Sequence, residues 1–215
     1  SEYLESTLAK GLAQRGHNVR VYYGSTSDVE GIFDGVKCYT SDKFKDLSCD
    51  VLVVSRFANM LNDDYNIKAK VKLLHCHDVV AVNATNKLLL KANRILSLSK
   101  WHSDYLCQAH NLHPKHVRQT RNGIFTSRFE NKNIERNQYK IVVTSSPDRG
   151  WDTILDIFPK IKEQVPEAEL HLFYGFKNAE AMAATNPGLA LEIQRLKSKA
   201  ESLSHLNVQM RGRVS

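Results

Sequence analysis

The chain has 215 residues, of which 42% are hydrophobic and 25% are charged, and its formal net charge is +7. These proportions are typical of a soluble globular protein and exclude a disordered chain. No apolar run reaches the length of a transmembrane helix, and the polar start of the sequence predicts no signal peptide. The four cysteines show no disulfide or metal-site spacing. We therefore expect a reducing compartment, the cytoplasm.

The elements of the first part of the chain alternate between helix and strand. Leu4, Leu8 and Leu12 predict an amphipathic helix that ends at Gly16. Short apolar runs then predict strands at 18–23, 36–39, 51–54, 71–76, 95–98 and 116–120. Continuous apolar runs such as 51–54 are typical of strands buried on both faces, as in a parallel sheet covered by helices. The fold class predicted from this pattern is α/β.

A polar stretch at 127–138 predicts a linker between a domain at 1–126 and a second domain at 139–215. The second domain begins with a strand at 141–144, a helix at 154–161 and a strand at 170–174. A further helix at 193–203 precedes a third strand that starts at 207. Three parallel strands leave an edge and an open helix face, so we expect this second domain to be incomplete.

The turn at 144–151 is the strongest local signal for a ligand. It follows a predicted strand and opens a helix, where main-chain N–H groups attract anions. Arg149 is placed to bind a phosphate, Ser145 and Ser146 to donate hydroxyl hydrogen bonds, and Gly150 to shape the turn. The alternative is that these residues simply cap a helix. The sequence contains neither a dinucleotide-binding glycine motif nor a P-loop.

A second polar group, His75, His77 and Asp78, ends the predicted strand at 71–76. Because side chains alternate along a strand, both histidines are predicted on one face at its carboxyl end. Three interpretations remain open. The residues form a metal site with two imidazoles and Asp78, a polar edge at which a histidine contacts a sugar or anion, or a plain strand end.

Two glycine turns complete the candidate residues. Asn122 and Gly123 predict a tight turn with positive φ, either near a ligand or of geometric use alone. Gly175 follows the strand at 170–174 and allows a close backbone approach, or marks a turn.

Taken in order, these pieces resemble the retaining glycosyltransferases of family four, which share the GT-B fold of two facing Rossmann-like domains. The segment 1–21 is similar to that family's first helix and its ending, and His77 with Asp78 lies where the family has a strand-end "HD". The segment 121–124 matches the family's "pNGvd", with Arg121 in place of the proline. The segment 145–150 corresponds to its "GR....KG" turn, with Arg149 at the lysine position and serine at the first basic position.

The resemblance implies transfer of a sugar, with retention, from a nucleoside diphosphate sugar to an acceptor hydroxyl. It implies catalytic roles for His77 and Arg149, and no metal or other cofactor. The diphosphate would be bound at Ser145, Ser146, Arg149 and Gly150, and the donor and acceptor cleft would include Asp78, Asn122, Gly123 and Gly175.

The family also carries two glutamates eight positions apart in its second domain, and this sequence has no such pair. We therefore expect an internal fragment of a longer enzyme. The main alternative is a non-catalytic α/β module that binds a phosphorylated ligand or an anionic surface. Nucleic acid is not an expected partner, because no basic patch is interleaved with aromatic residues. Lipid acceptors are common in the family, so a basic first domain resting on an anionic membrane is a further hypothesis.

Overall fold

Helices and short parallel strands make up both halves of the chain in the structure, a computed structural model that describes residues 2–24, 30–130 and 133–213. The chain divides into two compact units, Ser1–Asn131 (unit 1) and Lys132–Ser215 (unit 2). Each unit has its own apolar core. The two are therefore described separately.

The strands of unit 1 are β1 (Arg20–Tyr23), β2 (Gly31–Phe33), β3 (Val36–Thr40), β4 (Ser48–Ser55), β5 (Lys68–His75), β6 (Arg94–Ser97) and β7 (Val117–Gln119). Its α-helices are α1 (Glu2–Ala13), α2 (Asn86–Leu89) and α3 (Lys100–Ala109). Short 3-10 helices lie at Ser41–Lys43, Ala58–Leu61, Asp63–Tyr65, Pro114–His116 and Thr126–Arg128. Unit 2 contains β8 (Lys140–Val143), β9 (Glu169–Phe173) and β10 (Val208–Gly212), with α4 (Trp151–Gln164), α5 (Lys177–Ala183), α6 (Pro187–Ser202) and a 3-10 helix at Ser204–Leu206.

Parallel pairing dominates the sheets of both units. In unit 1 the order β4-β5-β6-β7 is parallel throughout, and a separate sheet has the order β1-β3-β2, in which β2 runs antiparallel to β3. In unit 2 the order is β10-β9-β8, again parallel. The predicted α/β class with parallel sheets is therefore confirmed, as are the three parallel strands expected in the second half.

The apolar run of β4 predicts that the strand is buried on both faces, and this prediction is wrong. Leu52 and Val54 are buried, whereas Val51 and Val53 are 52% and 37% exposed. Side chains alternate across a strand, so this pattern means that one face of β4 packs on the core. In the described part of the chain, its other face is not covered by a helix that buries these valines.

Helix α1 packs through a different residue than the leucine stripe predicts. Ala9 is 7% exposed and lies in a small core with Val36 and Cys38 of β3, whereas Leu8 is 41% exposed. A small side chain at the contact lets the helix approach the sheet closely. This packing places the first turns of α1 where Glu5 reaches the ends of other strands.

The core of unit 2 is formed by the inner faces of α4 and α6 and by alternate residues of the sheet. Its fully buried members include Trp151, Leu155, Phe158, Leu170 and Leu172. Asn186 caps α6, since its side chain accepts a hydrogen bond from the Leu189 N–H at 3.2 Å. Across the described residues, no helix combines the length and the apolar character needed to cross a membrane.

Candidate functional site

The carboxyl end of β5 presents two imidazoles on one face of the strand. Leu74 and Cys76 point into the core of unit 1, and both are buried. His75 and His77 therefore project from the opposite side, and their ring centroids lie 4.1 Å apart. The structure thus pairs the two histidines as the strand period predicts.

Glu5 of α1 completes this group, and the sequence patterns did not identify it. Its Oε1 atom lies 2.5 Å from Nε2 of His77 and 3.3 Å from Nδ1 of His75. The Ser55 hydroxyl, at the end of β4, donates to the same oxygen at 2.8 Å. One carboxylate oxygen therefore contacts the His77 imidazole and the Ser55 hydroxyl at hydrogen-bonding distance and lies near the His75 ring.

The protonation of this group follows from its burial and its contacts. Burial alone would raise the pKa of Glu5, but the neighbouring His75, Ser55 and His77 outweigh it and hold that pKa at about 2. Burial lowers the pKa of His77, which outweighs the opposite effect of its hydrogen bond to Glu5. Near neutral pH the site is thus a carboxylate beside a histidine whose neutral form is favoured.

Asp78 faces a cation rather than the imidazoles. Its two carboxylate oxygens accept from Nε and Nη2 of Arg56 at 2.7 and 3.0 Å, in a bidentate pair. Arg56 holds a positive φ of 68°, an uncommon conformation for a residue with a side chain. Asp78 is thus engaged elsewhere, and Glu5 takes the place beside the histidines that the metal interpretation gave to Asp78.

The β8–α4 turn in unit 2 is closed by hydrogen bonds among its own residues. The Ser145 hydroxyl donates to the Arg149 carbonyl at 2.9 Å, and the Arg149 N–H donates to the Ser146 carbonyl at 2.9 Å. The indole N–H of buried Trp151 donates to the Ser145 carbonyl at 3.1 Å. The hydroxyl hydrogen of Ser145 is therefore already donated within the turn. The Arg149 side chain, in contrast, is exposed.

Gly150 begins α4 without a side-chain cap. Its φ of 95° is left-handed, a conformation that glycine adopts at little cost, and no side chain accepts from the first N–H groups of the helix. Asp152 in the first turn is paired with Arg195 at 3.0 Å and Lys199 at 2.5 Å, and these contacts hold its pKa at about 2. Arg195 and Lys199 of α6 therefore balance the negative charge of Asp152. As a result, Asp152 repels an anion at the start of α4 less than an unpaired carboxylate would.

Asn122 and Gly123 do not form the predicted turn. Neither residue has a positive φ, and both are exposed in an irregular segment after β7. No atom lies within 4 Å of the position that a Cβ on Gly123 would occupy. The Asn-Gly pair permits positive φ without requiring it, and here the chain continues without reversing.

Gly175 is explained by its neighbouring strand. It has a φ of 72°, and a Cβ built on it would lie 3.3 Å from the Cα atom of Gly212 at the end of β10. The close backbone approach that the sequence predicts is therefore an approach to another strand of unit 2.

Replacing Gly175 with alanine is expected to destabilise unit 2 by about 1–2 kcal/mol, because the side chain meets both a left-handed backbone and a main-chain neighbour. Urea unfolding followed by circular dichroism measures the change. Gly188→Ala is the matched control, since that glycine lies in α6 and its added Cβ would be 3.6 Å from the Asn186 side chain. A loss in the control as large as that in Gly175→Ala would contradict this explanation.

No protein-family profile and no curated protein matches this sequence. The solved structures that show similarity over part of their length include two of TarM. A structure of TarM overlaps with a TM-score of 0.46 at 11% identity, covering 77% of this chain and 33% of its own. A mutant of S. aureus TarM in complex with fondaparinux, alpha-GlcNAc-glycerol and UDP gives 0.45 at 10% identity, covering 71% and 30%. The chain thus spans about a third of the length of these proteins.

Proposed function

We propose that this protein is a glycosyltransferase that moves a sugar, with retention, from a nucleoside diphosphate sugar to an acceptor hydroxyl. The proposal combines the order of the family-like sequence motifs with the geometry of the two units. The β8–α4 turn is the observation that carries it. There an exposed arginine stands beside a helix start that no side chain caps.

A diphosphate suits this turn for electrostatic reasons. The first N–H groups of a helix carry a partial positive charge, and a guanidinium donates two parallel hydrogen bonds to phosphate oxygens. The leaving diphosphate gains negative charge as the glycosidic bond to the donor breaks. Arg149 and the start of α4 would therefore stabilise the transition state more than the bound donor.

Unit 1 would contribute His77 at the end of β5. Glu5 accepts a hydrogen bond from its Nε2 atom at 2.5 Å when that nitrogen is protonated, and this contact fixes the ring. An imidazole held in this way can orient a sugar hydroxyl or a phosphate oxygen. Asp78, which is tied to Arg56, would act by holding the strand end rather than by touching the donor.

The test is the affinity for UDP, GDP and ADP, measured by isothermal titration calorimetry. Arg149→Ala is expected to weaken the best-bound nucleotide about 10- to 100-fold, because it removes a charge-assisted contact to phosphate. Lys160→Ala is the matched control, since it removes one positive charge from an exposed position further along α4. We expect it to change the affinity by less than about twofold.

Equal losses in the two variants, or no nucleotide binding by the wild type, would refute the diphosphate site. Transfer is then measured with the full-length protein and a labelled sugar donor, and the anomeric configuration of the product reports retention. Nucleotide binding without transfer would favour the binding module instead. Contact with an anionic membrane stays a prediction.

A further inference from the structure

The group formed by Glu5, His75 and His77 has the composition of a metal site. Each residue offers one ligand atom, and the three atoms lie within 4.8 Å of one another. They come from α1, from the last residue of β5 and from the loop just beyond it. The parallel pairing of β5 with β4 and β6 fixes His75, and His77 follows two residues after the strand ends.

His75 supplies a second and independent indication. The residue is 8% exposed, and neither of its ring nitrogens has a hydrogen-bond partner among the described residues. Its Nδ1 atom lies 3.3 Å from the Glu5 carboxylate but outside hydrogen-bonding geometry. Buried polar atoms are nearly always paired, and leaving one unpaired is costly. A cation between the ring and the carboxylate would give this nitrogen a partner.

We propose that Glu5, His75 and His77 bind one divalent transition-metal ion, zinc. Two imidazole nitrogens and one carboxylate oxygen are a donor set that zinc accepts with three protein ligands and one further position. That position is open to an oxygen of water or of a phosphate. Magnesium and calcium prefer sites made of oxygen atoms and fit this set poorly.

One separation between ligand atoms already matches what zinc requires. Tetrahedral coordination with bonds of about 2.1 Å places ligand atoms about 3.4 Å apart. His75 and Glu5 already meet that separation at 3.3 Å. His77 and Glu5 are held at 2.5 Å by a hydrogen bond, and an ion that replaces the shared proton would let them separate.

The surroundings support an ion of this charge. Ser55 donates to the Glu5 carboxylate at 2.8 Å, which is the role of an outer partner that orients a ligand. The nearby Arg56 is paired with Asp78, so its charge is offset.

Both proposals use His77, but zinc binding can be measured separately from sugar transfer, because all three ligands belong to unit 1 and no donor is needed. It differs from the absence of a metal that the family resemblance implies. Failure of either proposal can therefore be recognised without the other.

The experiment titrates zinc into the chelator-treated protein, with calorimetry for affinity and elemental analysis after dialysis for stoichiometry. We expect one equivalent per chain, a raised melting temperature, and no comparable effect of magnesium or calcium. Glu5→Gln and His77→Gln should each weaken zinc binding by about 100-fold or more, since loss of even an outer partner costs 10- to 100-fold. His17→Gln is the matched control, because it removes an exposed imidazole of unit 1 and should leave the affinity unchanged.

Cobalt(II) provides a readout that does not depend on the variants, since its visible spectrum distinguishes tetrahedral from octahedral coordination. Melting of the metal-free variants shows that each is folded before its affinity is compared. Less than about half an equivalent of zinc in the wild type, or the same loss in His17→Gln as in Glu5→Gln, would overturn the proposal. Iron(II), titrated without oxygen, is expected to bind more weakly than zinc. Tighter binding of iron would overturn the assignment of zinc.

Discussion

Trp151→Ala is expected to lower the free energy of unfolding of unit 2 by about 3–5 kcal/mol, the range for removing a buried aromatic side chain. The indole is fully buried, and its ring meets Phe176 edge to face with centroids 5.1 Å apart. Its N–H donates to the Ser145 carbonyl, so the same side chain also closes the β8–α4 turn. Small domains have stabilities of about 5–15 kcal/mol, so this change removes a large share.

Urea unfolding followed by far-ultraviolet circular dichroism measures this effect, because the substitution removes an indole fluorophore. Trp101→Ala is the control, since Trp101 is 62% exposed and stacks on Tyr105 at the surface of unit 1. It should change stability by less than about 0.5 kcal/mol. Trp151→Phe retains an aromatic ring but not the N–H. We expect it to lower the free energy of unfolding by about 1–3 kcal/mol, because the Ser145 carbonyl loses its partner and the ring is smaller. A Trp151→Ala protein as stable as Trp101→Ala would contradict the packing described for α4.

The second large effect is the resistance of Cys76 to alkylation. This cysteine is 1% exposed in the core of unit 1, and burial raises the pKa of its thiol to about 12 from an ordinary 9.0. The thiolate is the reactive form, so the shift alone reduces its fraction about 1,000-fold near neutral pH. We expect iodoacetamide to modify Cys76 at least about 1,000-fold more slowly in the native protein than in urea.

Mass spectrometry of peptides, sampled over the reaction, gives the rate at each cysteine. Cys107 is the internal comparison, because it is only partly buried on α3. Burial raises its pKa as well, so it should react more slowly than in urea but faster than Cys76. Equal rates at Cys76 and Cys107 in the folded protein would show that Cys76 is not buried in the core of unit 1 as described.

The pairing of His75 with His77 could be predicted because it depends only on the two-residue period of a strand. The contact of Glu5 could not be predicted, since it needs α1 to lie near the ends of β4 and β5, and α1 packs on β3 through the small residue Ala9. A glutamate in the first turns of an amphipathic helix is common in sequences and carries no signal of its own. Long-range contacts of this kind are decided by how elements pack, which a local pattern does not contain.

The glycines also show that residue type alone does not determine a long-range contact. At Gly175 the residue type correctly predicts a close backbone approach, but the pairing of β9 with β10 determines that Gly212 is the neighbour. At Gly123 the residue type permits a turn that the chain does not make. The α/β class and the element order are readable from the sequence because hydrophobic periodicity reports them directly. The exposure of one face of β4 cannot be read from the sequence. An apolar run shows that its side chains favour burial, but it does not show whether another element covers them.

The internal closure of the β8–α4 turn has a consequence for any ligand that docks there. Ser145, Ser146 and Trp151 fix the turn through hydrogen bonds to its own backbone, so its shape is set before a ligand arrives. Little conformational entropy would then be lost on docking, and the affinity would come from pre-organised main-chain dipoles and one arginine. Such a surface distinguishes a phosphate group from a neutral one but is indifferent to the base attached to it. Selectivity for one nucleotide would have to come from residues outside this turn.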